Sequence, residues 1–452
     1  MAKVFPFRAF RYNPAHAPFE HVLTQPYDKI SPEMQDKYYA ANPHNLITVE
    51  KGRVHPSDGP GNNVYTRAAA AIQEWIRSGI VVQDPAAAFY GYTQEYTVPE
   101  TNERHTRRGF IGAGQLEEYS AGMIYRHEHT LSGPKADRLE LLRHTQMSTG
   151  QLFMIYSDAQ KHVDAVLNEA EKSAAAATEM TDEYGVIHRL WVISDPERVK
   201  AVQEAMADQK LVIADGHHRY ETALNYRNER RTLTGKTIAD APYERAMMTF
   251  INTRGAGLTI LPTHRVVAKL REFNWPELRR YLEPWFTAES IEFADESGRH
   301  KAREEFVRKL SAARRKRAIG AYPAVADKHK RAFYALTLRE GADLNRLLHN
   351  VSPLQRELDV VLLHDGILEP GLGITPQSVK AEANLSYERE SAAALDAVES
   401  GAAQIAFLLN PCDVEEVVRI ATAGEVMPQK STDFYPKLMS GITMYSVDLE
   451  RA

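Results

Sequence analysis

Short runs of β-branched and aromatic residues alternate along the chain with stretches whose apolar positions recur every three to four residues. That alternation predicts a mixed α/β fold. Residues 66–77 place Ala69, Ile72, Trp75 and Ile76 on one helical face and stop near Gly79; residues 159–175 do the same with Val163, Val166 and Leu167. Ser194-Asp195-Pro196 joins a capping residue to an early proline, so a helix is expected over 197–207. Strands are expected at 88–96, 109–115, 153–157, 189–193 and 211–214. After Arg265 the pattern gives helices at 274–285 and 300–317 and strands at 318–322, closed by Pro323, and 332–338. From about Leu344 it is mostly helical, with segments at 354–363, 388–400 and 414–423. The last two end at Gly401 and Gly424, where a left-handed stop belongs. No repeat of solenoid or propeller period and no linker-like tract interrupts the chain.

Composition narrows the class. The 452 residues are 43% hydrophobic and 25% charged, ordinary for a globular chain and incompatible with a disordered one. Lys and Arg number 55 against 60 Asp and Glu, so the net charge of −5 provides no global basic field and no duplex-specific DNA binding is expected. The many basic residues of 303–317 are interrupted by Glu304 and Glu305 and read as a solvated helix face. One cysteine, Cys412, excludes an internal disulfide framework and fits a reducing, cytoplasmic setting. No apolar run reaches the length of a spanning helix, and the first residues lack the apolar core of a signal peptide, so a membrane role is not expected.

The strongest local chemistry lies in Leu211–Arg230, LVIADGHHRYETALNYRNER. A short buried strand leads through Asp215-Gly216 into a helix, which places His217, His218 and Arg219 at a helix N-terminus, where free N–H groups attract anions. Gly216 permits close approach of a ligand, Arg219 offers a planar fork for phosphate, and a histidine can carry a proton. The plainer reading makes Asp215 a helix cap with both histidines packed in the core. A second cluster, Arg126-His127-Glu128-His129-Thr130, precedes Lys135 and Arg138. On a strand its two histidines would share a face, with Glu128 opposite as a candidate general base; the spacing is not that of a zinc helix, and no metal centre is expected. Gln25-Pro26-Tyr27-Asp28 is either a turn or a contributor of substrate contacts and an alternative base, Asp28. Near the C-terminus, the loop holding Lys430, Ser431, Thr432 and Lys437 is rich in hydroxyls and cations that could close on an anion. No G-x-G-x-x-G follows a strand, so haem, flavin and NAD chemistry have no support.

The segments PFRAFRYNP, QPYDKIS, IADGHHRYETAL, RHEHT…PKADRLELL, LPTHR and MPQKSTDFYPKLMSG together resemble the bacterial domain of unknown function 1015 family, over essentially the whole chain. Asp433 departs from it, standing where that family tends to carry an aromatic residue. The D-G-H-H-R segment also resembles the phosphate-gripping loop of the ParB/sulfiredoxin-like superfold, notably of free-serine kinases. Sulfiredoxin chemistry itself is excluded, because its loop needs a cysteine just before His-Arg and His217 stands there.

These resemblances imply a ParB/sulfiredoxin-like core over 1–265, an α/β subdomain over 266–343 and a mostly helical region over 344–452 whose loop closes on the site. The second resemblance implies nucleotide phosphates on Gly216, His217, His218 and Arg219, with Asp215 at that phosphate site as a metal or substrate contact; the residues themselves offer Lys430, Ser431, Thr432 and Lys437 as further phosphate contacts and Tyr27, Arg126, His127, Lys135 and Arg138 for a substrate. Glu128, His217 and Asp28 are the candidate catalytic groups, and Mg²⁺ with ATP or ADP is the implied cofactor. The expected activity is a nucleotide-dependent phosphotransferase acting on a small hydroxylated metabolite such as free serine or O-phosphoserine. A CTP- or ATP-gated ParB-like binding protein and a phosphoserine-type phosphatase are the alternatives, and a homodimer is compatible with either.

Overall fold

The computed structural model describes residues 2–128, 132–325 and 331–448. Its backbone is mixed α/β and divides into two compact units, Met1–Thr259 with Phe434–Ala452, and Ile260–Asp433.

The first unit is built on one nine-stranded sheet. From one edge to the other run Ile124–Tyr125, Leu211–Asp215, Leu152–Tyr156, Arg245–Asn252, Arg104–Gln115, Phe89–Thr97, Ile187–Ile193 and Thr178–Thr181, with Val4–Phe5 added beside Arg104–Gln115. Pairing is mostly antiparallel, but Leu211–Asp215 runs parallel to Ile124–Tyr125 and Arg245–Asn252 runs parallel to Leu152–Tyr156. Central strands carry continuous apolar runs because both faces are covered. Phe89, Phe110 and Phe250 form the middle of the core, the last two stacked at 4.8 Å. The helices His162–Ser173, Pro196–Met206 and His217–Thr234 send Val163, Leu167, Val202, Met206, Tyr220 and Leu224 into the same core. The end of the chain returns to this unit: Tyr445–Ser446 pairs with Met147–Ser148, Met444 bridges Phe10 and Ser440 bridges Thr24.

The second unit holds a six-stranded antiparallel sheet in the order Phe286–Glu292, Ala332–Leu338, Ala318–Pro323, Ile405–Leu408, His264–Val267 and Leu385–Glu388. The helices Glu296–Ala312 and Ser391–Glu399 cover one face, and Phe306 stacks on Phe333 at 5.0 Å within this core.

The division differs from the three regions expected. Strands on both sides of residue 343 hydrogen-bond in one sheet, so 266–343 and 344–433 share a core, while residues 434–448 complete the first unit. The region from 344 is also less helical than its pattern suggests. Leu385–Glu388 and Ile405–Leu408 are strands, the expected helix at 388 starts at Ser391, and 354–363 resolves into a turn at Gln355–Glu357 and a helix at Asp359–Leu363. Several strands escaped the pattern, and three of them show why. Arg245–Asn252 is buried on both faces and does not alternate, His264–Val267 is only four residues, and Phe286–Glu292 is an edge strand with two buried side chains.

Candidate functional site

The helix His217–Thr234 begins without a side-chain cap. Asn63, Asp195, Asn274 and Asp295 cap their helices with side-chain oxygens, whereas the residue before His217 is Gly216, at φ 95°, with nothing to offer the first-turn N–H groups. The strand before it slips register between Ile213 and Asp215, an extra residue that turns Asp215 relative to a regular ladder. Asp215 is therefore not the cap of the plainer reading. Its carboxylate faces Arg219 Nη2 at 3.5 Å and Lys437 Nζ at 3.7 Å.

Charge concentrates around this turn. Burial pushes the Asp215 carboxyl up, but Lys437, Arg219, Lys29 and His217 outweigh it and hold the group down at about 2. Arg219 is buried, which disfavours its charge, yet Asp215, Asp28, Tyr27 and Glu50 keep it firmly protonated. Arg219 also donates to the Gln151 carbonyl and lies 3.2 Å from where a Cβ on Gly150 would stand, so Gly150 leaves the guanidinium its room. On the turn Tyr27–Lys29, Asp28 is exposed and Tyr27 lies under the Arg138 guanidinium at 4.4 Å. Asp215, Gly216, Arg219, Lys437, Tyr27, Asp28 and Arg138 thus belong to one charged neighbourhood.

His127 and His217 adjoin it. Their rings meet edge to face at 4.7 Å. His127 Nδ1 lies 2.8 Å from the Ile213 carbonyl, which can only accept, so Nδ1 carries the proton. The His127 backbone N–H donates to His217 Nε2 at 3.4 Å, which leaves the His217 proton on Nδ1. Burial lowers His127 to about 4, and burial together with His127 lowers His217 well below its ordinary value, so both are neutral imidazoles at pH 7. The sequence cluster reaches this place because Ile124–Tyr125 pairs with Leu211–Val212; the strand stops there, so Arg126, His127 and Glu128 form a loop, not the strand considered for them. His129 and Thr130 lie outside the described residues. Glu128 is half-buried directly after His127. His218 occupies the first turn of the helix, half-buried. Arg126 and Lys135 converge on Glu221, at 3.5 and 2.7 Å, one turn further along the helix.

Lys430, Ser431 and Thr432 belong to the second unit. There Arg265 donates to the Lys430 carbonyl at 3.1 Å, Cys412 Sγ to the Ser431 carbonyl at 3.4 Å, and Asp433 pairs with Arg389 at 2.6 Å. Of the four loop residues, Lys437 alone stands in the first unit with Asp215.

Lys29, Gly150, Gln151 and Glu221 were not singled out from the sequence, and neither were two more telling residues, Glu50 and Arg107. Glu50 is buried and accepts from Thr149 Oγ1 at 2.7 Å and Ser440 Oγ at 3.2 Å, while its own carbonyl takes Arg138 Nη1 at 2.9 Å. It lines, with Arg138 and Arg219, a cavity of about 80 Å³ that continues onto Leu142, Met147 and Met247. Arg107 is 1% exposed, lies over Phe153 at 4.7 Å and donates to Gln94 Oε1 and to the carbonyls of Tyr435 and Pro436. It thereby fixes the backbone that presents Lys437. Arg107 shares its side of the strand with Ile111 and Ala113, so extending the expected strand back from Gly109 would have placed an arginine on a buried face. Glu50 follows Leu46, Ile47 and Val49, apolar neighbours that are the one sign in the sequence of a carboxylate carried into the interior.

A family model described as a protein of unknown function (DUF1015) matches residues 4–361. No curated protein matches. A conserved hypothetical protein from Pyrococcus furiosus is 14% identical over 69% of this chain and 87% of its own, with a TM-score of 0.30. A free serine kinase in complex with AMP is 14% identical over 73% and 89%, with a TM-score of 0.33. SbnI with a C-terminal truncation, from Staphylococcus aureus, is 11% identical over 76% and 90%, also at 0.33. Likenesses this remote carry no assignment of residues.

Proposed function

The chain belongs to the DUF1015 family, and from that footing we propose that it transfers a phosphoryl group between a nucleotide and a small hydroxylated metabolite, with free serine as acceptor and O-phosphoserine as product. One observation carries the reading: a glycine-started helix without a side-chain cap, flanked by Arg219 and Lys437 across the ionised Asp215. Phosphoryl transfer asks mainly for positioning and charge neutralisation. The amides of the first turn, with Arg219 and Lys437, bind the phosphates of ATP or ADP. Neutral His217 donates its Nδ1 proton to a phosphate oxygen without adding charge.

The nucleotide brings Mg²⁺, which takes one or two carboxylates beside its phosphates and waters. Asp215, or Asp28 where Glu128 is the base, would be the carboxylate that holds it, and the ion would offset charge on the transferring phosphoryl group. Tyr27, Arg126, His127, Lys135 and Arg138 frame the acceptor. The acceptor hydroxyl loses its proton to Glu128, or to Asp28, as its oxygen bonds phosphorus and the nucleotide leaves with one phosphoryl group fewer. A cytoplasmic setting suits the single cysteine.

The test is incubation of the protein with serine and Mg²⁺ plus ATP or ADP, with phosphoserine measured directly. Nucleotide-dependent phosphoserine supports the proposal. Nucleotide binding without turnover over a broad panel of hydroxylated metabolites identifies a gated binding protein, and phosphate release from phosphoserine without nucleotide identifies a phosphatase.

A further inference from the structure

The second unit contains a cavity of about 290 Å³, close to the lower end of the size range of small-molecule sites. It opens where three neighbouring strands end together: His264–Val267 and Ala318–Pro323 begin there and Ile405–Leu408 finishes there. The turn Arg314–Lys316 and the cap residue Arg317, which follow the helix Glu296–Ala312, bring Arg314, Arg315 and Arg317 to its wall; Asn410 and Thr263 add polar groups.

Carboxylates also reach the wall, and most are already engaged. Asp413 pairs with Arg314 at 2.5 Å, Glu357 pairs with Arg419 at 2.6 Å, and Glu416 accepts from the Asp413 backbone N–H at 2.8 Å. Asp359 is the exception. Its only ion pair among the described residues is a long one, 3.4 Å to Arg317 Nε. Arg315 is exposed at the rim.

We propose that this cavity is a binding site for a small oxyanion, a phosphoryl or carboxylate group held by Arg314, Arg315 and Arg317, with the Asp359 carboxylate as its built-in competitor for Arg317. Two parallel N–H donors of a guanidinium match the oxygens of either group. When the anion takes Arg317, Asp359 loses its partner and takes up a proton. That exchange is within easy reach, since burial raises Asp359 to about 6 even with Arg317 beside it. The other charged groups acting on Asp359 are Glu416 on the helix Val414–Thr422 and Arg314 on the turn Arg314–Lys316; Asp359 in turn acts on the Cys412 thiol, which burial pushes up to about 12, and Arg265 also lines the wall. Burial raises Glu416 as well, so acid removes negative charge from the wall and leaves the arginines unchanged. Affinity therefore increases as pH falls through about 6.

This site is independent of the phosphotransferase reading, and the experiment keeps them apart by using full-length protein carrying Arg219→Ala. The probes are sulfate, which does not titrate between pH 5.5 and 7.5, and malonate, titrated calorimetrically at both pH values. Sulfate binding roughly tenfold tighter at pH 5.5 is expected for a tetrahedral ligand, and malonate preferred over sulfate at both pH values for a dicarboxylate. Arg315→Ala, at an exposed position, should weaken the preferred anion about tenfold with an unchanged melting temperature. Asp359→Asn should bind at pH 7.5 as the parent does at pH 5.5 and lose the pH dependence. Absence of binding at 10 mM of either anion, or binding indifferent to both substitutions, overturns the proposal.

Discussion

At the scale of single residues, the site depends on keeping opposite charges close and imidazoles neutral. Arg219→Ala removes a buried guanidinium from Asp215 and, under the proposed function, from the nucleotide phosphates. A charge-assisted hydrogen bond contributes about 1.5–3 kcal/mol, so ATP affinity should fall roughly tenfold to a hundredfold in a calorimetric titration. The histidine pair makes a prediction about stability. A histidine whose folded value lies below its unfolded one contributes stability that is complete above the unfolded value and is lost as pH falls toward the folded one. His127 drops from about 6.5 unfolded to about 4 folded, so unfolding free energy should decline between pH 6.5 and 4 by up to about 3 kcal/mol. His127→Gln should flatten that slope in urea titrations across the range; an equally steep slope in the variant would assign it to other groups. D-G-H-H-R was legible in the sequence because a strand, a glycine turn and a helix follow one another within twenty residues. Glu50 and Arg107 were not, because their importance depends on partners at Ser440 and Tyr435, hundreds of positions away.

At the scale of elements, the glycine that starts the helix His217–Thr234 has two functions. Gly216 takes a left-handed backbone conformation, and a Cβ there would stand 3.1 Å from Arg219 Nε and 3.2 Å from Leu152 Cδ2. Gly216→Ala should therefore destabilise the protein by about 1–2 kcal/mol for the backbone alone and also displace the guanidinium, so thermal melting and ATP titration should both deteriorate. The strand Arg104–Gln115 bears on the site through Arg107. Arg107→Met leaves the Tyr435 and Pro436 carbonyls without their donor, at a cost of about 1–3 kcal/mol, and frees the backbone that presents Lys437. Elements with clear helical periodicity or strong caps, such as Val64–Arg77 and Pro196–Met206, matched the pattern to within a few residues. Arg245–Asn252 did not, since a strand covered on both faces has no polar side to mark its period.

For the whole molecule, chain order and spatial order part company. Residues 434–448 follow the second unit in sequence but supply the first with Lys437, the acceptors of Arg107, the Phe434 ring against His127 and Phe153, and the strand Tyr445–Ser446. No local pattern announces such a return, because it consists of side chains meeting partners from across the chain. A chain ending at residue 433 should melt its first unit at a lower temperature and lose ATP binding, while Ile260–Asp433, with its own sheet and core, retains its transition in calorimetry. A single unchanged transition after this truncation would contradict the division into two units.

Under the proposed function, the turn from Asp215 to Arg219, with Lys437, grips nucleotide phosphate. Calorimetric titration of Mg²⁺-ATP into the intact protein, Arg219→Ala and Lys437→Ala tests it most directly, with circular dichroism confirming that each variant is folded. Saturable one-site binding is expected in the parent, with a tenfold or greater loss in each variant. Equal affinity in all three folded proteins, or no binding by the parent, would contradict it.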